Sequence, residues 1–379
     1  MTMSSEIREK LFVVIRAGLD LHVPNIELTD EEVAVLLNVA KKQSILPLLY
    51  RGLNKLTTSK TVFESYDIFK TKNEYHAIQH DHALGLIRST LDEASIPYVL
   101  LKGAVLRHLY PDITLRTSSD IDVLVHEEDI EHAVRVLEEK TEFKLDKRNY
   151  HDVSMISTRV HLELHFSIKE NDERIDKVLV KAWDFTLNSG EGSMYVFSPE
   201  YQIFHIVAHM CHHFLHGGLG IRPFLDLWLL RNQTQYSENH VQDLLTQCGI
   251  LQFYKECCLL TEAWMGNAAH TTTSRAFEDF CLSGGVFGSE QFRVAGAQRN
   301  NRGWRYVCDR VFPPKYQVKE FYKDPSGKEH LLPYYYVKRW RSWLSKERRG
   351  DLNRQIKATV TSDKNYQDSA DELFKKLGL

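Results

Sequence analysis

Two carboxylates one residue apart, Asp120 and Asp122, interrupt an otherwise apolar run in Thr117–Val125, TSSDIDVLV. The run reads as a strand. Strand side chains alternate faces, so both acids share one face while Ile121 and Val123 take the other. Carboxylates that close raise each other's pKa unless a cation sits between them. Magnesium and manganese favour oxygen ligands of this kind. A third acid stands in RVHLELHF (159–166), where Val160, Leu162, Leu164 and Phe166 form one face and His161, Glu163 and His165 the other. If the two strands pair, Glu163 joins the aspartates, and three carboxylates can hold one or two divalent ions. Such ions activate a hydroxyl nucleophile, clamp a phosphate and neutralise a leaving pyrophosphate. Same-face polar residues more often just meet solvent, and the aspartate doublet alone is a weak signal. Its surroundings strengthen it.

Upstream, YVLLKG closes a short strand on Lys102 and Gly103. The glycine permits close backbone approach, the amides after it can meet phosphate, and the lysine can reach anionic oxygens. Arg116, Ser118 and Ser119 lie just ahead of Asp120. A strand–glycine–helix turn, then Arg and Ser, then the aspartates, then a later strand acid suits phosphoryl transfer. The bland reading of Lys102 and Arg116 is ordinary solvated charge.

LLKGAVLRHLYPDITLRTSSDIDVLV resembles the signature of an uncharacterised nucleotidyltransferase family within the DNA-polymerase-β-like superfamily. The resemblance is carried by residues 98–125, 160–166 and 205–228. It implies a two-metal enzyme, with metal ligation and catalysis by Asp120, Asp122 and Glu163, Mg²⁺ or Mn²⁺ as cofactor and a nucleoside triphosphate as substrate. It implies nucleotide contacts at Lys102, Gly103, Arg116, Ser118 and Ser119. It also draws a downstream pattern of two histidines, a glycine pair, an arginine and an aspartate into the site.

That pattern lies in FHIVAHMCHHFLHGG. At about 100° per residue, His205, His209, His212, His213 and His216 fall within one arc of a helix, and the apolar residues fill the rest. Three readings stand side by side: a solvated polar face, a zinc site built from His pairs at i, i+4, or a cleft wall facing the carboxylates. The resemblance favours the cleft wall, with His209 and His213 as its members. Arg222 and Asp226 either extend that wall or pair with each other at i, i+4.

These groups need elements to hold them. Residues 1–95 read as helices, including a capping box at Thr29–Glu32 and a long segment with Tyr75, Ile78, Leu84, Ile87 and Leu91 at helical spacing. Residues 96–190 alternate short strands with helices and imply a small mixed-sheet α/β core. Residues 191–379 return to helix. Ser198-Pro199-Glu200 opens the histidine helix, and Gly217-Gly218 closes it. GGVFG (284–288) and PSGKE (325–329) read as loops, and PYYYVKRWRSWLSKERR (333–349) as an amphipathic helix with bases outward. The fold class is therefore α+β, a nucleotidyltransferase core flanked by helical regions.

A net charge of -3 leaves no bulk basic footprint for nucleic acid. Six cysteines without a C-x-x-C pair suggest reduced thiols. The first residues do not form a signal peptide, and no apolar run spans a bilayer, so a cytoplasmic protein with no membrane partner is expected. The expected reaction is attack of an acceptor hydroxyl on the α-phosphate of a nucleoside triphosphate, releasing pyrophosphate. The acceptor, whether small molecule, RNA or protein, is not written in the sequence, and neither is the base or the oligomeric state. Two rivals stand beside it: a non-catalytic nucleotide- or partner-binding module on the same scaffold, and a zinc-dependent hydrolase using the histidine helix.

Overall fold

The computed structural model describes residues 3–56, 60–158, 160–170, 172–285, 332–342 and 364–379, with Phe292 and Gly296. Four helices open the chain: α1 (Ser5–Gly18), α2 (Asp30–Lys42), α3 (Leu46–Leu56) and α4 (Lys60–Glu93). The capping box on α2 forms as the sequence predicts, with Thr29 and Glu32 each taking the other's backbone N–H.

Seven strands follow: β1 (Tyr98–Leu100), β2 (Asp120–Val125), β3 (Lys144–Arg148), β4 (Asp152–Ile156), β5 (His161–His165), β6 (Thr186–Asn188) and β7 (Met194–Phe197). Between them lie α5 (Gly103–Leu106), α6 (Ile130–Lys140) and α7 (Glu173–Leu179). Helices then resume with α8 (Pro199–His216), α9 (Ile221–Gln233), α10 (Glu238–Gln247), α11 (Leu251–Met265) and α12 (Thr272–Ser283). Two more described helices are α13 (Leu332–Ser342) and α14 (Lys364–Lys376). This is the expected α+β architecture, a mixed sheet with helices at both ends.

The sheet order is β3-β4-β5-β2-β1-β7-β6. β2 runs parallel to β5, and β1 parallel to β7; the remaining neighbours are antiparallel. Strands β3, β6 and β7 escape the sequence reading. All five residues of β3, KLDKR, are exposed at an edge, and β6 is only three residues long. β7, MYVF, is apolar but too short to alternate.

One sheet face is dry. Ile121, Val123, Leu162 and Leu164 pack there against Leu84, Ile87 and Leu91 of α4 and Val134 and Leu137 of α6. The other face carries Asp120, Asp122, Glu163 and His165, and beside them Leu124, which joins the larger core built by the helical regions. Helix α8 is central to that core and ends at Gly217 as predicted.

Helix α4 departs from the expected stripe. Leu84, Ile87 and Leu91 are buried, but Tyr75 and Ile78 are 50% and 66% exposed. The inward positions are Tyr66, Phe69, Asn73, Ala77 and His80, which continue the spacing of Leu84, Ile87 and Leu91. A small residue and two polar ones hide that half of the stripe. Asn73 earns its place by donating to the Thr114 carbonyl at 2.8 Å.

No helix among the described residues is long and apolar enough to cross a membrane. Cys248, Cys257, Cys258 and Cys281 carry free thiols. Cys308, the PSGKE loop, residues 286–288 of GGVFG and residues 343–349 of the basic aromatic segment lie outside the described residues.

Candidate active site

The parallel register of β2 and β5 sets the site. Asp120 stands opposite His161, Asp122 opposite Glu163, and Leu124 opposite His165. Alternation then puts the three acids and both histidines on one face. His165 Nε2 lies 3.0 Å from Asp122 Oδ1 and 3.6 Å from Glu163 Oε2. Ligand atoms of Asp122, Glu163 and His165 all lie within 4.8 Å of one another, so this set fits a single divalent cation. Asp120 is turned differently: its Oδ1 accepts from Ser119 Oγ at 3.2 Å and Ser118 Oγ at 3.4 Å.

Lys102 is the cation of the site. Its backbone adopts φ +40°, a left-handed value that costs a side-chain-bearing residue energy. That turn projects Nζ to 4.0 Å from Asp122 Oδ1. Gly103 is required by crowding: a Cβ there would stand 2.5 Å from Ser118 Oγ and 3.0 Å from Arg116 Nη1. The amides after the glycine are spent locally, with Ala104 N donating to the Leu101 carbonyl and Val105 N to that of Lys102.

Arg116 is buried and held at two points by Asp226, with Nε to Oδ1 and Nη2 to Oδ2 both at 2.8 Å. Tyr110 donates a further bond to Asp226 Oδ1 at 2.9 Å. Arg222 Nη1 donates to the Thr117 carbonyl at 3.0 Å. The hydrogen bonds of Arg222 and Asp226 therefore run to the loop before β2, rather than to each other along α9.

The histidines of α8 face a carboxylate that sequence reasoning misses. Glu170, buried in the loop after β5, has its Oε1 2.7 Å from His209 Nδ1. His212 Nδ1 stands 2.6 Å from the Glu170 carbonyl. A carboxylate only accepts, so His209 carries its hydrogen on Nδ1 and turns Nε2 to His213 Nε2 at 2.9 Å. His205 is fully buried, and neither ring nitrogen has a partner among the described residues. Among the described residues, the groupings suited to a metal ion lie on the sheet and include no α8 histidine.

A second missed device sits behind Asp120. Arg107 Nη1 lies 2.8 Å from His80 Nδ1, and His80 Nε2 lies 3.1 Å from the Asp120 carbonyl. Arginine can only donate, so His80 accepts on Nδ1 and donates from Nε2.

The charges are tightly linked. Burial alone would raise the Asp122 carboxyl, but Lys102, His165 and His209 hold it well below the usual carboxylate range. Burial likewise opposes ionisation of Glu170, and His209, Lys102 and His212 prevail over it. Glu163 is pushed up, first by burial and then by the charges of Asp122 and Asp120. His209 is lowered by burial and by Lys102, and His213 is pushed down to about 3 by burial and His209. The arrangement is a carboxylate cluster with one lysine at its centre and imidazoles along one side.

A family model described as uncharacterised nucleotidyltransferase matches residues 29–266, which contain all of these groups. No curated protein and no solved structure matches the chain. The match spans more than half of the 379 residues, and the chain belongs to the uncharacterised nucleotidyltransferase family.

Proposed function

We propose that the protein transfers a nucleoside monophosphate from a nucleoside triphosphate to a hydroxyl acceptor and releases pyrophosphate. The observation that carries this reading is the register of Asp122 opposite Glu163, with Asp120 on the same face. In this reading Asp120, Asp122 and Glu163 would together hold two divalent cations, Mg²⁺ or Mn²⁺, one of them shared by Asp122 and Glu163. When bound, these ions supply neutralising charge at the α-phosphate and lower the pKa of the attacking hydroxyl.

The chain's own groups divide the remaining work. Lys102 leaves the strained turn as the nearest amine to Asp122 and is suited to an anionic phosphate oxygen. Arg116 has Nε and Nη2 engaged by Asp226, which leaves Nη1, packed beside Gly103, to face phosphate. Ser118 and Ser119 orient the Asp120 carboxylate. Glu163, raised by burial and by its acidic neighbours, is the group suited to accept the hydroxyl proton. His209, His213 and Arg222 belong to the wall against which the acceptor binds, with His209 steadied by Glu170, while Asp226 supports that wall from behind through Arg116.

Labelled nucleoside triphosphates with Mg²⁺ or Mn²⁺, presented with a cell extract, test this reading. The expected result is a labelled acceptor and released pyrophosphate with the wild type, and neither with Asp120→Ala or Asp122→Ala variants that remain folded. Transfer undiminished in those variants overturns the mechanism. Nucleotide binding by calorimetry without pyrophosphate release across many acceptors favours the binding module instead.

A further inference from the structure

We propose that His165 is itself a metal ligand, so that the cation held by Asp122 and Glu163 has mixed nitrogen and oxygen coordination and is a transition-metal ion such as Mn²⁺ in preference to Mg²⁺. This rests on the reading of Asp122 and Glu163 as metal ligands and adds a residue that the three-acid scheme does not contain.

The geometry carries the inference. Donor atoms held at about 2.1 Å around an octahedral cation lie about 3.0 Å apart at right angles. His165 Nε2 stands 3.0 Å from Asp122 Oδ1 and 3.6 Å from Glu163 Oε2, so one nitrogen faces both carboxylates at near-ligand separations. To bind a cation, Nε2 gives up the hydrogen it now donates to Asp122 and the ring keeps its hydrogen on Nδ1. Lys102 Nζ, at 4.0 Å from the same oxygen, is beyond hydrogen-bond length and leaves Oδ1 to the imidazole.

Burial and support point the same way. His165 and Asp122 side chains are 9% and 8% exposed, so the imidazole has little water to satisfy it. His165 also stands with His151 and Asp152 in a second group whose ligand atoms lie within 4.8 Å of one another. His151 Nε2 is 3.0 Å from Asp152 Oδ2. Asp120, by contrast, has its Oδ1 turned to Ser118 and Ser119 and joins neither group.

The chemistry of the donor set decides the ion. Oxygen-only sites suit Mg²⁺, whereas imidazole suits later transition metals, and affinity at a mixed site rises along the first row from Mn²⁺. Mn²⁺ is the useful probe because it accepts carboxylates as readily as Mg²⁺ and is paramagnetic.

Mn²⁺ is titrated into the full chain without nucleotide, and bound ion is followed by electron paramagnetic resonance. Spin-echo modulation then reports nitrogen bonded directly to it. The wild type is expected to bind Mn²⁺ with strong ¹⁴N modulation that persists in molar excess of Mg²⁺. His165→Gln is expected to lose the modulation and at least the roughly tenfold in affinity that even outer-shell changes cost. His161→Gln is the control: His161 Nδ1 is 3.7 Å from Glu163 Oε1, but its Nε2 is engaged with Ser154 Oγ at 2.7 Å, so the modulation should remain. Bound Mn²⁺ without nitrogen modulation in the wild type overturns the assignment of His165 and leaves the carboxylate reading intact. No bound Mn²⁺ in the wild type overturns both. Absence of nitrogen modulation in the wild type overturns the assignment even if His165→Gln fails to fold.

Discussion

Arg116 and Asp226 stand 110 positions apart and meet in a buried two-point ion pair, with both N–O distances at 2.8 Å. The pair fastens helix α9 to the loop that enters β2. Arg222 adds a second fastening through the Thr117 carbonyl, one residue before the serines that orient Asp120. Helix α9 thus sets the approach to the acid strand without supplying an acid to it.

Breaking one side of this pair leaves a buried charge without its counterpart. Arg116→Met or Asp226→Leu alone is expected to cost about 3–5 kcal/mol of stability. The double variant should recover much of that, because two apolar groups replace two charges. Urea unfolding of the three proteins measures this. Single variants costing under about 1 kcal/mol would show the pair to be a surface-like contact.

How much of this is legible in sequence depends on the range of the interaction. The face shared by Asp120, Asp122, Glu163 and His165 follows from the period of two in DIDVLV and HLELH, which is local. The pairing of β2 with β5 is long-range, and no spacing encodes it. Arg116 reads as a phosphate ligand, with a solvated charge as the rival, and Asp226 as an i, i+4 partner of Arg222; only the fold brings Arg116 to Asp226. Glu170 lies in IKENDER (168–174), a polar run whose types and spacing suit a solvated loop. Its partners do carry a signal, since a polar helix face made of histidines in place of Lys and Glu is unusual for solvent. His80 and Ala77 are hidden for the opposite reason, being a polar and a small residue on an inward stripe where the eye seeks Leu and Ile.

Glu170 makes acid stability testable. Its carboxyl is raised by burial but lowered more by His209, Lys102 and His212, and its folded pKa falls below the ordinary 4.5. A carboxyl lowered on folding stabilises above its unfolded pKa, and that contribution is lost as pH falls below about 4.5 towards the folded value. Glu170→Gln is therefore expected to cost about 1.5–3 kcal/mol at pH 7 and progressively less below pH 4.5. Urea midpoints at pH 7 and pH 4 check this; an equal gap at both would refute the charge-based account.

His205 should act in a different window. Burial, then the charges of Lys102 and His209, push its pKa from 6.5 down to about 3. The unfolded chain takes up the proton first, so stability falls as pH drops from 6.5 towards 3. At about 1.4 kcal/mol per pH unit, the loss at pH 5 is on the order of 2 kcal/mol. His205→Leu removes this term, and also a ring whose nitrogens have no partner among the described residues. Its melting temperature relative to the wild type is expected to be more favourable at pH 5 than at pH 8. A shift independent of pH would mean that His205 matters only as volume.

Lys102 separates strain from chemistry. Its φ of +40° costs a side-chain-bearing residue about 1–3 kcal/mol, which glycine would not incur. Lys102→Ala keeps that strain and deletes the amine; Lys102→Gly relieves the strain and deletes the amine. Both leave buried Asp122 without its nearest lysine, so that cost is common to the two and cancels between them. Lys102→Gly is expected to be more stable than Lys102→Ala by about 1–3 kcal/mol in urea unfolding. Both are expected to lose most pyrophosphate release, because the amine that neutralises phosphate is absent from each. Equal stability of the two variants would remove the strain argument, and retained transfer in either would remove Lys102 from the nucleotide site. If the glycine variant proves the more stable and both are inactive, the turn holds an unfavourable backbone for the sake of where it points the amine.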